Sequence, residues 1–237
     1  MKVTLLILTF NELSGMKEIM PRIENDWYDQ LLIVDGGSTD GTIEYCKQKG
    51  YLLFSQENKG LRYAYIEILP YIKGDLVITF SPDGNSIPER IPPLVAKMKE
   101  GYDMVIVSRY AQGAKSYDDD CVTAFGNKMF TSLINFFYGS KYTDSLVMFR
   151  AWKTEIFKEL DLDKEESYRV EEKLFHTKVG VEPLLSVRAA KLKLKCADIP
   201  GDEPVRIGGE RKLKVMQWGS AYLFEVLREL FFWRKSS

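Results

Sequence analysis

The sequence predicts an α/β fold with a mostly parallel central sheet flanked by helices, and three observations carry that expectation. Short apolar runs rich in β-branched residues recur along the first half of the 237-residue chain. Segments of helical character separate them, which implies right-handed βαβ crossovers between parallel strands. The connections are short and Gly-rich, and several place a carboxylate just past a strand end. In open sheets of this kind, ligands bind in the crevice outside the carboxyl ends of the strands.

Taken in order, Val3 to Thr9 is a continuous apolar run and reads as a buried parallel strand. A helix is expected over Met16 to Ile23 and a second strand over Gln30 to Val34, closed by the turn Asp35 to Thr42. A helix through Glu44 to Lys47 ends at Gly50, and a third strand covers Tyr51 to Phe54. Gly60 to Ile72 is helical, Leu76 to Phe80 is the fourth strand, Glu89 to Lys99 is a helix and Met104 to Val107 is the fifth strand. Beyond Tyr110 the pattern changes. Ala111 to Asp120 is a polar loop long enough to act as a lid, ending in Asp118, Asp119 and Asp120; these three read as a solvated acidic run. An aromatic helix is expected over Phe125 to Tyr138, a strand over Leu146 to Phe149, a helix over Thr154 to Leu160 and an edge strand over Leu192 to Cys196.

Composition narrows the function classes. The chain is 45% hydrophobic and 28% charged, with a net charge of −1, which excludes a strong nucleic-acid signature. The charge is uneven: from Ser186 onward 11 Lys/Arg face 6 Asp/Glu, giving +5, so the remainder is −6. Cys46, Cys121 and Cys196 stand far apart with no CxxC pair, which argues against structural zinc or a disulfide framework and for a reducing compartment. The first nine residues are too short for a signal peptide, and no apolar run reaches the ~20 residues of a membrane span. A cytoplasmic protein is expected.

The chemistry lies in the turns. Pro82 and Gly84 stop the fourth strand and leave Asp83 at its carboxyl end, with Asn85 in the same turn. One carboxylate, an amide oxygen and phosphate oxygens suit Mg²⁺ or Mn²⁺. The Asp35–Thr42 turn lacks a phosphate-loop ending and is acidic, so Asp35 is read as an acceptor for the N–H edge of a nucleobase and Asp40 as a helix cap. Lys59 and Arg62, near a helix start after the third strand, suit a pyrophosphate; the plainer reading is a solvated helix face. His176, the only histidine, reads as a structural or surface residue.

In combination these motifs resemble the nucleotide-sugar-dependent glycosyltransferases of family 2, which have the GT-A fold, and within them the polyprenyl-phosphate mannosyl- and glucosyltransferases. The matching positions, in order, are Thr9-Phe10-Asn11-Glu12, Asp35 through Thr42, Asn58, Gly60, Ala64, Ser81-Pro82-Asp83, Pro88-Glu89, Ser108-Arg109-Tyr110, Asn127-Lys128, Asp144, Phe149-Arg150, Glu182, Arg206 and Gly209-Glu210-Arg211-Lys212-Leu213. The chain departs from the pattern at Gly36, Met148 and Arg211, and at Ser81, which replaces the first metal-binding Asp and weakens the expected cation site.

The resemblance implies a single GT-A domain over residues 1–212. Residues 1–110 form its nucleotide-sugar-binding half, 111–212 its acceptor-binding half, and 213–237 a C-terminal amphipathic helix. Thr9, Asn11, Glu12, Asp35, Lys59, Arg62 and Asp83 are expected to bind a UDP-, GDP- or dTDP-sugar, with the divalent cation on Asp83 and Asn85. Arg109, Lys128, Arg150, Arg206 and Lys212 are expected to converge on a lipid-phosphate or glycan acceptor. Transfer inverts the anomeric carbon. A phosphate acceptor needs no base, whereas a sugar hydroxyl needs Asp144 or Glu182. A catalytically impaired nucleotide-sugar-binding partner subunit is the alternative, prompted by Ser81.

The C-terminal segment bears on the acceptor. Leu213, Met216, Tyr222, Leu223, Val226, Leu227, Leu230 and Phe231 follow helical spacing, Trp218, Phe224, Phe232 and Trp233 widen the apolar face, and basic residues flank it. That pattern describes an interfacial helix at a membrane surface. Packing on the sheet or on a second subunit of a homodimer is the other expectation.

Overall fold

The computed structural model describes residues 1–208 and 215–233. Among these, seven strands form one sheet in the order β3-β2-β1-β4-β6-β5-β7. The strands are β1 (Val3–Thr9), β2 (Gln30–Asp35), β3 (Leu53–Ser55), β4 (Leu76–Phe80), β5 (Met104–Ser108), β6 (Arg150–Lys153) and β7 (Cys196–Pro200). All run parallel except β6, which is antiparallel to both β4 and β5. The helices are α1 (Leu13–Ile19), α2 (Thr42–Gln48), α3 (Leu61–Ile68), α4 (Ile91–Met98), α5 (Cys121–Tyr138), α6 (Ile156–Glu159), α7 (Arg169–Phe175), α8 (Glu182–Lys191) and α9 (Val215–Phe231).

Strand periodicity divides the core in two. Val3, Leu5 and Ile7 of β1 pack with Ile33, Ile78 and Val105 against Met16 and Ile19 of α1 and Ile91, Leu94 and Met98 of α4. Leu6 and Leu8 point to the opposite face and pack with Leu32, Val34 and Val77 against α3, α5 and α8. Every residue of β1 is buried, as a strand covered by helices on both faces requires.

Strand order places the binding crevice. The chain steps outward from β1 to β2 to β3, then returns to lay β4 on the other side of β1. The crevice therefore opens between the carboxyl ends of β1 and β4, at Thr9–Glu12 and Ser81–Asn85. Gly15 lets these ends approach, and Gly84 lets Ile207 close on the β4 turn. A Cβ on Gly15 in α1 would lie 2.1 Å from the Pro82 carbonyl oxygen, and one on Gly84, at φ +88°, would lie 2.5 Å from Ile207.

Several elements differ from the sequence reading: α1 begins three residues and α5 four residues earlier than expected. The run Leu146 to Phe149 is not a strand; pairing with β4 and β5 begins at Arg150. The edge strand is Cys196–Pro200, because it is the Cys196–Pro200 backbone that finds β5. Helix α8 had no counterpart in the sequence reading. Of its ten residues, all from Glu182 to Ala190 are buried, so it shows no polar face for a helical period to reveal.

Candidate active site

At the end of β1, Asn11 takes a left-handed backbone, φ 55°. Its side-chain Oδ1 accepts from the Thr39 N–H at 2.8 Å, and its own N–H donates to Ser38 Oγ at 2.8 Å. Asp40 accepts from the N–H groups of Thr42 and Leu13, both at 3.0 Å, and so ties the starts of α1 and α2 together. Thr9 Oγ1 is buried without a protein partner among the described residues, an unusual condition that a polar ligand would relieve. Asp35, expected to read a nucleobase, is engaged within its own turn here. It is fully buried, and its carboxylate accepts from the N–H groups of Gly37 and Ser38, each at 2.8 Å, and from the Ser38 hydroxyl. In this state it organises its own turn, and a nucleobase could reach it only by displacing Ser38.

At the end of β4, the Asn85 N–H donates to Asp83 Oδ1 at 3.2 Å, and Arg206 Nη1 lies 3.3 Å from Asp83 Oδ2. Burial raises the Asp83 pKa against the opposing pull of Arg206. Arg206 spans two carboxylates, because its Nη2 also donates to Asp118 Oδ2 at 3.1 Å. Nearby, Arg109 donates to Asp144 from Nε at 2.6 Å and Nη2 at 3.0 Å, and reaches Glu203 at 3.2 Å and Asp119 at 3.6 Å. Burial works to lower the Arg109 pKa, but Asp144 and Glu203 outweigh it and hold the group firmly cationic.

The loop after β5 and the segment after β7 are bound into one flap. Ser116 bridges to Glu203 in parallel register, the Tyr117 N–H donates to the Glu203 carbonyl at 2.8 Å, and the Glu203 N–H donates to the Lys115 carbonyl at 2.9 Å. The flap is fastened to the β4 turn by the Ile207 N–H, which donates to the Asp83 carbonyl at 2.7 Å. Asp118–Asp120 is therefore not a solvated acidic run. Asp118 pairs with Arg206, Asp119 pairs with Arg109, and Asp120 caps α5 through the N–H groups of Val122 and Thr123.

Several expected site residues lie elsewhere or are committed. Arg62 is fully buried between the rings of Tyr63 and Tyr168 and paired with Glu165 at 2.7 Å and Glu172 at 2.9 Å, so it pins α3 to the α7 region and is closed to a pyrophosphate. Arg150 is also buried. It donates to the carbonyls of Val147 and Ser145 and to Ser186 Oγ, bracing the loop before β6 in place of binding an acceptor. Asp144 is fully buried and receives Arg109 together with Asn127 Nδ2, which leaves it poorly suited to act as a base. Glu182 accepts from the Tyr65 hydroxyl at 2.6 Å. Lys59 and Lys128 are exposed, and Lys212 lies outside the described residues. Glu203, absent from the sequence expectations, has the same signal as Asp83: a carboxylate just past a strand end, followed by Pro204.

Five carboxylates, Asp83, Asp118, Asp119, Asp144 and Glu203, thus share two guanidiniums, Arg109 and Arg206, a formal balance of 2 − 5 = −3 among the described residues. No three acidic, His or Cys groups among the described residues converge as a ready-made metal cage. The donor set nonetheless fits Mg²⁺ or Mn²⁺, which take one or two carboxylates and complete their shells with water and phosphate oxygens. A guanidinium already lies between Asp83 and Asp118, marking the place as one that holds a cation.

Residues 4–161 match the model of the family described as Glycosyl transferase family 2. The chain belongs to glycosyl transferase family 2. Among curated relatives it is 25% identical over 231 residues to glycosyltransferase AglJ of Haloferax volcanii, covering 95% of this chain and 71% of that protein. It is 30% identical over 167 residues to an undecaprenyl-phosphate 4-deoxy-4-formamido-L-arabinose transferase of Klebsiella pneumoniae, covering 65% of this chain and half of that one. Over 123 residues it is 32% identical to a dolichol-phosphate mannosyltransferase of Pyrococcus furiosus, 48% of this chain and 35% of that one. Glucosyl-3-phosphoglycerate synthase of Mycobacterium tuberculosis, solved with Mn²⁺, UDP-glucose and phosphoglyceric acid, superposes with a TM-score of 0.67 at 19% identity, covering 97% of this chain and 79% of that one. The fold is GT-A, and the chain is a family 2 glycosyltransferase.

Proposed function

We propose that this glycosyltransferase moves a sugar, with inversion, from a nucleoside-diphosphate sugar to the phosphate of a polyprenyl lipid held in a membrane. The observation that carries the choice of acceptor is the polarity of α9. Its buried positions include Glu225 and Glu229, while Leu223, Leu227, Phe231 and the adjoining Phe232 are exposed, the last two at 74% and 79%. Phe136 and Phe137 of α5 are exposed as well. The inner face is already packed, with Ala221 and Val226 buried beside those two carboxylates, so an apolar outer face suits an interfacial element. No helix among the described residues is long and apolar enough to cross a membrane.

On this reading the donor lies in the crevice between β1 and β4, with Thr9, Asn11 and Glu12 on one side and Asp83 and Asn85 on the other. Asp83 would hold Mg²⁺ or Mn²⁺, which supplies Lewis-acid stabilisation of the departing diphosphate, worth several kcal/mol. The acceptor phosphate oxygen attacks the anomeric carbon, the bond from that carbon to the diphosphate oxygen breaks, and the electron pair leaves with the nucleoside diphosphate. An anionic acceptor has no proton to give up. The engagement of Asp144 by Arg109 and of Glu182 by Tyr65 supports this reading, because neither is poised as a base. Lys128 and Lys212 are the cations proposed for the acceptor phosphate, whereas Arg206, paired with Asp83, is assigned to the donor side.

The likeness to an enzyme solved with phosphoglyceric acid favours one second reading, a small soluble phosphorylated acceptor. The two separate by partition. Labelled UDP-, GDP- and dTDP-sugars are incubated with Mn²⁺, undecaprenyl or dolichyl phosphate in vesicles, and 3-phosphoglycerate. Label extracted into organic solvent supports the lipid acceptor. Label confined to phosphoglycerate supports the soluble one, and no transfer from any donor supports an impaired binding subunit.

A further inference from the structure

We propose that Arg206 is a built-in counter-cation that binds the Asp83–Asp118 pair in the free protein and is exchanged for the divalent cation, with Asp118 supplying the second carboxylate that Ser81 no longer provides. The inference rests on the reading of Asp83 as the cation anchor.

Three features of the site point to it. First, the position that would ordinarily offer a second strand-end carboxylate is Ser81, so the turn itself brings only Asp83. Second, a carboxylate from another part of the chain has come to the same place. Asp118 and Asp83 grip one guanidinium, from 3.1 Å and 3.3 Å, and the two acidic side chains are only 10% and 7% exposed. Third, Arg206 and Asp118 ride on the flap that joins the loop after β5 to the segment after β7. It is fastened to the β4 turn by the backbone hydrogen bond from Ile207, by a hydrogen bond from Asn85 Nδ2 to Glu203 at 3.4 Å and by the Arg206–Asp83 ion pair.

Charge shows why the exchange needs the donor's diphosphate. Two carboxylates with one guanidinium leave −1, whereas two carboxylates with a divalent cation are neutral. The released guanidinium stays beside the crevice, and diphosphate oxygens entering with the cation can accept its N–H groups in place of the carboxylates. Before exchange, Arg206 competes with the cation for Asp83 and Asp118, so the free protein should bind metal weakly and metal and donor should bind together.

The test is Mn²⁺ binding followed by the loss of the free-ion paramagnetic resonance signal, with circular dichroism to verify folding. The proteins are the wild type, Arg206→Gln, Asp118→Asn, the double variant and Asp83→Asn. The probes are Mn²⁺ alone and Mn²⁺ with UDP. Arg206→Gln should bind Mn²⁺ alone at least tenfold more tightly than the wild type, and adding Asp118→Asn to it should remove that gain. Unchanged or weakened Mn²⁺ affinity in Arg206→Gln would overturn the exchange. A double variant as tight as Arg206→Gln would overturn the role of Asp118. Retained Mn²⁺ binding in Asp83→Asn would instead overturn the anchor reading on which the proposal rests.

Discussion

Two buried charge clusters in this molecule each hold more carboxylates than guanidiniums, and they differ in how that excess is relieved. The cluster at the carboxyl ends of β4, β5 and β7 has five carboxylates to two guanidiniums and opens on the crevice through Arg206, whose side chain is 22% exposed. The cluster beneath α9 has Glu171, Glu225 and Glu229 against Arg188 and Arg228, a balance of 2 − 3 = −1, and is sealed. Both Glu225 oxygens are buried with no donor among the described residues, although the carboxyl lies beside that of Glu171. Two adjacent carboxylates share a hydrogen bond only if one is protonated. Burial pushes Glu171 up to about 7 and Glu225 well above its usual range, with the Glu171 charge adding to the shift. The difference lies in the counter-charge: in the sealed cluster burial favours a protonated carboxyl, whereas in the open one a guanidinium bridges Asp83 and Asp118.

The largest effect on folding is expected at Arg62, which marks the boundary between structural and functional cations. Arg62→Ala leaves Glu172 buried beside Lys178 alone and should cost about 3 kcal/mol, the scale of breaking a buried ion pair. Nucleotide affinity of the folded fraction should stay unchanged. Denaturant titration with parallel UDP binding checks this, and a stable variant with weakened UDP binding would return Arg62 to the donor site.

Arg62 also shows where legibility stopped. The apolar strands, their order of appearance and the strand-end carboxylate Asp83 could be read directly, because a parallel strand covered on both faces leaves a continuous apolar run. Ion pairing could not. Arg62 and Glu172 are 110 residues apart in sequence and share no local signal. Arg150 likewise looked like a binding cation, and only the packing of α8 against β6 shows it spent on Ser186 and on two carbonyls. Glu203 was missed because the edge strand was placed four residues too early, hiding its position just past a strand end. The inward charges of α9, Glu225 and Glu229, went unread because its apolar and aromatic residues dominated the reading.

A comparable effect is expected from pH and belongs to the sealed cluster. A carboxyl whose folded pKa is raised binds its proton more tightly in the folded state, so its contribution to stability is full below the unfolded value near 4.5 and falls as pH rises towards the folded value. Stability should therefore decline from about pH 4.5 through 7, by up to ~1.4 kcal/mol per pH unit for each proton involved. Glu225→Gln, a neutral isostere, should flatten that decline relative to the wild type in unfolding midpoints measured across the range. Parallel pH profiles would show that no proton is held there.

The smallest effect on stability, and a specific one on location, is expected from the outer face of α9. Phe231→Ser with Phe232→Ser should change unfolding free energy by no more than ~0.5 kcal/mol, since both rings are exposed. Binding to anionic vesicles should nevertheless fall at least tenfold, because burial of each ring in the interface is worth ~1.5–3 kcal/mol. Equal co-sedimentation of the double variant and the wild type would detach this face from membrane binding and favour the soluble acceptor.

The most direct test of the open cluster as the donor site is calorimetric titration of UDP- and GDP-sugars into the wild type and Asp83→Asn, each with and without Mn²⁺. The account predicts that Mn²⁺ tightens donor binding to the wild type at least tenfold, and that Asp83→Asn keeps its fold and its weak metal-free affinity while losing the Mn²⁺ enhancement. An undiminished Mn²⁺ enhancement in Asp83→Asn would contradict it.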